Sequence, residues 1–198
     1  MEELSRKIVI SQPIDNSVAG YVIDRIVEIN DFDAKMASNL IGYQPEPIEM
    51  FINSAGGSAT DGFAIIGAME TSDTPIITYG FGMVASVALA IFVMGDWRVA
   101  SRLGRFMYHS VAYGYEGFIK DHESMHREAD ILQRIYDSFF LERTKMDREM
   151  MADMRHTKTD WLFSGAKALE LGVADEVTKP SAKKLELIDL EEEASEGE

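Results

Sequence analysis

The chain has 198 residues, 46% of them hydrophobic, which is enough for one ordinary α/β domain with a sizeable core. It has no cysteine, which excludes disulfides and Cys-ligated zinc. Its formal charge of −15 argues against a nucleic-acid partner, because phosphate binding needs clustered Lys and Arg. Residues 1–7 carry no basic stretch ahead of an apolar one, and the longest apolar run, 84–94, is too short to span a bilayer. A soluble, cytoplasmic protein with no membrane partner is expected.

In chain order, residues 7–10 read as a short β-branched strand. Asn16 or Ser17 is placed to cap a helix on which Val18, Tyr21, Val22, Ile26 and Ile29 recur at helical spacing. Residues 31–47 read as a polar connection. A strand over 48–53 is closed by the turn-forming Ser54-Ala55-Gly56-Gly57. Thr60 or Asp61 then caps a helix through about Met69. A buried strand over 75–79 is broken by Gly80-Phe81-Gly82, and 85–94 is an apolar helix. Short strands follow at 98–100 and 105–109. This alternation predicts an α/β fold built from parallel crossover units.

Gly114-Tyr115-Glu116-Gly117 marks a loop, and a long helix runs over about 118–144. Its apolar stripe is Met125, Ala129, Leu132, Ile135, Tyr136, Phe139 and Phe140. At about 1.5 Å per residue such a helix projects beyond a small domain, and its stripe needs cover from another subunit or from its own domain. Ser164 caps a helix over 165–171 that ends at Gly172, and 173–177 is a final strand. Residues 1–180 are expected to form one domain, followed by a solvated acidic tail, 181–198, closing in LELIDLEEEASEGE.

The chemistry concentrates at a few positions. Ser86 sits where a strand, a glycine-rich break and a helix start meet, and unpaired N–H groups at a helix start favour a developing oxyanion. The alternative for Ser86 is an ordinary helix cap. His109 ends a strand, where it is placed either to take a serine proton or to bond backbone. Asp160 precedes Trp161-Leu162-Phe163 and suits fixing a histidine tautomer, or is simply a loop acid. Gly56-Gly57 lets backbone N–H groups approach a substrate, so the N–H groups of Gly57 and Val87 form the expected oxyanion hole.

Four ordered blocks carry a resemblance. Asn53-Ser54-Ala55-Gly56-Gly57-Ser58 is similar to N-S-P-G-G, Gly82-Met83-Val84-Ala85-Ser86 to G-Q-A-A-S, and Met107-Tyr108-His109-Ser110 to M-I-H-Q. Thr159-Asp160-Trp161-Leu162-Phe163-Ser164 with Ala168-Leu169-Glu170-Leu171-Gly172-Val173-Ala174-Asp175 is similar to D-R-F-L-S-A…A-x-E-Y-G-L-V-D. In order and rough spacing, across nearly all of 7–177, these blocks resemble the ClpP family of caseinolytic serine proteases.

The resemblance implies a ClpP/crotonase-like fold, a repeated ββα spiral core with a projecting handle helix, here about 118–145. It implies a Ser86, His109, Asp160 triad that hydrolyses peptide bonds of unfolded or threaded polypeptides without metal or organic cofactor. It also implies a homo-oligomer of heptameric rings, stacked in pairs as a tetradecamer. Ala55 stands in place of the motif proline, which is expected to loosen the loop carrying Gly57. Met83 and Val84 replace Gln and Ala, which is expected to reshape the pocket beside Ser86. About six residues precede Lys7, few for the family's axial pore segment, so dependence on an AAA+ unfoldase is left open.

Three other readings compete. His122-Glu123-Ser124-Met125-His126 fits H-E-x-x-H, in which two histidines one helical turn apart bind zinc, with Glu142 or Glu149 as a third ligand. Its place on the charged handle helix, away from Ser86, argues against a zinc peptidase. A non-catalytic ring subunit would use the fold for assembly alone, and a crotonase-type acyl-CoA enzyme would share the fold and the oxyanion hole.

Overall fold

The structure is a computed structural model and describes residues 4–112, 114, 116, 118–157 and 160–180. The expected acidic tail, 181–198, lies outside the described residues. Strands β1 (Lys7–Ile10), β2 (Ile48–Ser54), β3 (Ile76–Ala85), β4 (Trp97–Ala100) and β7 (Glu176–Val177) form a parallel row in the order β1-β2-β3-β4-β7. β5 (Arg105–Tyr108) leaves this row. It pairs parallel with the far end of β3 and antiparallel with β6 (Trp161–Ser164). Helices α1 (Asn16–Asn39), α2 (Ala59–Glu70), α3 (Val87–Val93), α4 (Ile119–Arg143), α5 (Arg148–Thr157) and α6 (Gly165–Glu170) complete the α/β fold.

Period-two alternation decides which way the strands face. Ile8, Ile10, Ile48, Met50 and Ile52 point into one core, with α1, α2 and α3 packed in succession over them. On the open face Phe51 stacks on Tyr79 at 4.8 Å and on Phe81 at 6.1 Å. Every residue of α3 is buried, so this helix is apolar all round and sits at the centre of the molecule.

Several expected boundaries are corrected. α1 continues to Asn39, so 31–39 is helix and not connection. Its inward face ends on a polar residue, Asp33, which is buried against Arg6, Tyr43 and Thr74. Asp15, rather than Asn16 or Ser17, caps α1 by accepting from Val18 N at 2.9 Å. Ser58, rather than Thr60 or Asp61, caps α2. The final strand is only Glu176–Val177, because Val173 and Ala174 donate their N–H groups to Ala168 O and close α6. Helix α5 has no counterpart among the elements expected from the sequence. It is seated by buried Met151, with Met146 buried just before it.

The long helix is present as α4, whose 25 residues extend about 37 Å. Tyr136, Phe139 and Phe140 are buried, whereas from Lys120 to Ile135 none of the residues is. No helix among the described residues is long and apolar enough to cross a membrane.

Candidate active site

β3 is the element on which the site depends. Its first half pairs with β4 through Ile77–Gly80 and its second half with β5 through Met83–Ala85. The segment read as a strand break is therefore a bend inside one strand. Opposite β2 the register steps from Ile52↔Gly80 to Ser54↔Val84, so β3 carries two extra residues at Phe81 and Gly82. Gly82 adopts φ +56°, and a Cβ there would stand 2.5 Å from Asn53 Oδ1. The same Asn53 oxygen accepts from Met83 N at 3.1 Å and holds the bend.

At the end of β3 the chain turns directly into α3 through Ser86, at φ +57° and ψ −136°. Ser86 is the one positive-φ residue other than glycine among the described residues. A left-handed φ at a side-chain-bearing residue costs about 1–3 kcal/mol and persists only where surrounding contacts enforce it. The enforcing contacts are visible. Ser86 N donates to Met107 O at 3.0 Å, and Ser86 O accepts from Leu89 N at 2.9 Å and Tyr136 Oη at 3.1 Å. Ser86 stands at the cap position of α3, yet its side chain makes no capping hydrogen bond. The hydroxyl is left free of the helix.

The loop after β2 forms the facing wall. A Cβ on Gly56 would lie 2.5 Å from Ser86 Cβ, so this loop packs directly on the serine. Ser54 Oγ donates to Gln12 O at 2.7 Å and accepts from Gly56 N at 3.1 Å. Ile14 clamps the next turn, its N donating to Gly56 O and its O accepting from Ser58 N, both at 2.9 Å. With these bonds in place the loop is held without the motif proline, and Ala55 is exposed. Among the described residues, the N–H groups of Gly57 and Val87 have no hydrogen-bond acceptor.

β5 and β6 bring in the other two candidates. Their antiparallel register runs from Arg105↔Ser164 to Tyr108↔Trp161, so His109 directly follows the last paired residue of β5 and Asp160 directly precedes the first of β6. Ser86, Gly57, Val87 and His109 all line one cleft of about 350 Å³. Val111, Met125, Ala129 and Leu132 add an apolar wall to it. Asp160 is exposed and does not line this cleft. No hydrogen bond joins Ser86, His109 and Asp160 among the described residues. Neither Met83 nor Val84 lines the cleft. Val84 is fully buried and both sit in the β3–β5 ladder, so their departure from the family pattern acts on the strand rather than on the pocket.

Sequence reading missed Asn53 and Ser54 as loop-holding groups, and missed Tyr136. For Tyr136 a signal existed. It is the one hydroxyl on the apolar stripe of α4, and a buried tyrosine hydroxyl needs a partner. His122, Glu123 and His126 are exposed on α4, with His126 Nε2 3.8 Å from Asp130 Oδ2. Among the described residues no three His, Asp or Glu side chains gather into a metal-holding group.

A serine at positive φ thus turns a strand into a buried helix, beside a glycine turn and a histidine that follows a strand end. In comparison with known proteins, the family model described as Clp protease matches residues 2–181. The chain belongs to the Clp protease family, a family of proteases. The ATP-dependent Clp protease proteolytic subunit 2 of Treponema pallidum (strain Nichols) is 23% identical over 180 residues, which cover 90% of this chain and 84% of that protein.

Proposed function

We propose that this chain is a self-compartmentalising serine endopeptidase that cleaves unfolded or threaded polypeptides. Ser86 Oγ attacks the scissile carbonyl carbon while His109 takes its proton, and Asp160 orients and stabilises the resulting imidazolium. The N–H groups of Gly57 and Val87 receive the oxyanion. His109 then passes its proton to the leaving amine as the C–N bond breaks, and water attacks the acyl-enzyme to release the carboxylate product and free Ser86. The apolar wall of the cleft suits an apolar side chain next to the scissile bond. The relative from Treponema pallidum is named as a proteolytic subunit of an ATP-dependent protease, which supports a multi-subunit assembly; rings of identical chains around enclosed sites, with an unfoldase feeding them where one is present, are what the family resemblance adds to this reading.

The observation that carries this reading is the meeting of Ser86, His109 and two acceptorless N–H groups on one cleft. The β5–β6 pairing, whose last pair Tyr108↔Trp161 immediately adjoins His109 and Asp160 in the chain, supports it. The test is labelling of the full chain with a fluorophosphonate, read by peptide mapping together with native mass. One adduct on Ser86 is expected in a high-order assembly. Ser86→Ala should lose the adduct and at least about 1,000-fold of fluorogenic-peptide turnover while keeping the native mass. Turnover retained by Ser86→Ala and lost to a chelator would overturn the serine mechanism. One observation favours the second reading, a non-catalytic ring subunit: the missing hydrogen bond between Ser86 and His109. That reading predicts assembly with no adduct.

A further inference from the structure

The handle helix reaches into the catalytic turn through three residues on one of its faces. Gln133, Tyr136 and Asp137 follow i, i+3, i+4 spacing, so they project together. Gln133 Oε1 accepts from Val111 N at 2.7 Å, and Gln133 Nε2 donates to Asp137 Oδ1 at 2.7 Å. Asp137 also accepts from the Tyr108 hydroxyl. Tyr108 stacks on Tyr136 with ring centroids 5.3 Å apart. Both flanks of His109, at Tyr108 and Val111, are thus held by α4. Tyr136 takes the third grip, on Ser86 O at 3.1 Å.

That carbonyl is half of a rigid unit. Ser86 C=O and Val87 N–H belong to one planar peptide, so whatever fixes the oxygen fixes the direction of the N–H. At φ +57° the relaxed left-handed well lies at ψ of about +30° to +60°, far from the −136° found at Ser86. The plane is therefore held away from its local preference by the bonds to Ser86 O, from Leu89 N, Ala90 N and the Tyr136 hydroxyl. Of the three donors, Tyr136 alone is a side chain from another element. A donor on a carbonyl also polarises the peptide and strengthens its N–H as a donor. Burial raises the Tyr136 phenol well above its usual pKa, so it stays protonated and able to donate.

We infer that Tyr136 is a positioning residue for oxyanion stabilisation: its hydroxyl aims and polarises the Ser86–Val87 peptide so that Val87 N–H meets the charge that develops on the substrate oxygen. This inference rests on the serine-endopeptidase reading above. A purely structural tyrosine would fill space and satisfy its own hydroxyl, and its loss would lower stability alone. A positioning tyrosine acts on the transition state, so its loss lowers kcat and leaves KM in place.

The test uses the full assembled chain and a fluorogenic peptide. Tyr136→Phe keeps the ring and removes the donor. Thr78→Val is the matched control. It removes another buried hydroxyl that donates to an α3 carbonyl, Phe92 O at 2.7 Å, but at the far end of that helix. Tyr136→Phe is expected to lower kcat about three- to tenfold and to slow fluorophosphonate labelling by a similar factor, with KM within about twofold. Thr78→Val is expected to lose comparable thermal stability with kcat unchanged. Should Tyr136→Phe fail to assemble, 3-fluorotyrosine placed at position 136 reads the same effect with opposite sign, because a more acidic phenol donates more strongly and raises kcat. An unchanged kcat in the phenylalanine or fluorotyrosine protein, or a rise in KM alone, overturns the inference while wild-type labelling at Ser86 stands. Absence of that wild-type adduct overturns the serine reading and the inference together.

Discussion

At the scale of single residues, the strain at Ser86 is open to direct measurement. Its φ of +57° is paid for by contacts on every side: Met107 O on its N–H, Tyr136 on its carbonyl and Gly56 against its Cβ. Glycine accepts this backbone without a Cβ penalty. Ser86→Gly is therefore expected to be more stable than Ser86→Ala by about 1 kcal/mol, with both lacking hydrolysis. Denaturant unfolding of the two proteins at equal concentration checks this, and equal midpoints would show that no strain is stored there. Sequence reading found the position of Ser86 because glycines and small residues bracket it. It did not find Asn53, Ser54 or Tyr136. Their partners lie 30, 42 and 50 residues away for the Met83, Gln12 and Ser86 bonds, and no local pattern encodes such contacts.

At the scale of elements, the loop between β2 and α2 and the bend in β3 are two halves of one device. The bend delivers Ser86, and Gly56 fits so closely under it that a Cβ would overlap Ser86 Cβ at 2.5 Å and Ala85 O at 2.8 Å. Gly56→Ala is expected to destabilise the fold by about 1–3 kcal/mol and to slow Ser86 labelling at least about tenfold, since either the loop or the serine must move. Gly67→Ala in α2 is the contrast. Nothing lies within 4 Å of the added Cβ, and removing a helical glycine should stabilise by about 0.5–1 kcal/mol with labelling unaltered. Thermal melts and labelling rates of the two variants give opposite signs if the packing argument holds. This device was only half legible. Gly80-Phe81-Gly82 reads as the end of a strand because glycines usually punctuate one. The chain instead uses them to switch β3 from the β4 ladder to the β5 ladder, which is a property of pairing partners and not of local propensity. The sequence marks His109 and Asp160 as candidates, but the β5–β6 pairing that brings their strands side by side joins positions some fifty residues apart, which no local pattern encodes.

At the scale of the whole molecule, α/β alternation is legible from apolar patterning, because β1, β2 and α1 each show one buried face and α3 is apolar throughout. What periodicity could not reveal is the lock that ties the edge of the fold together, because its centre is an acid. Asp33 lies in the stretch that reads as connection, yet it is buried. Arg6 Nη1 donates to its Oδ2 at 2.9 Å and Arg6 Nη2 pairs with its Oδ1, while Thr74 Oγ1 and Tyr43 Oη donate at 2.6 Å. These bonds join the approach to β1, the last turns of α1 and the entry to β3. The Arg6 hydrogen bond, aided by those from Thr74 and Tyr43, lowers the Asp33 pKa from 3.8 to about 2. A carboxylate depressed on folding contributes stability that is complete above its unfolded pKa and lost as pH falls through the folded one. The contribution is about 2 kcal/mol at neutral pH, and it should drain away between roughly pH 4 and pH 2. Asp33→Asn keeps the shape but cannot titrate. The stability gap between wild type and Asp33→Asn should thus be flat above about pH 5 and should narrow on going to pH 2. Urea unfolding across that range at fixed protein concentration, so that any assembly contributes equally, measures the gap. A gap that stays constant down to pH 2 would show that Asp33 does not titrate differently in the folded chain, and that the Arg6 lock contributes nothing to acid stability.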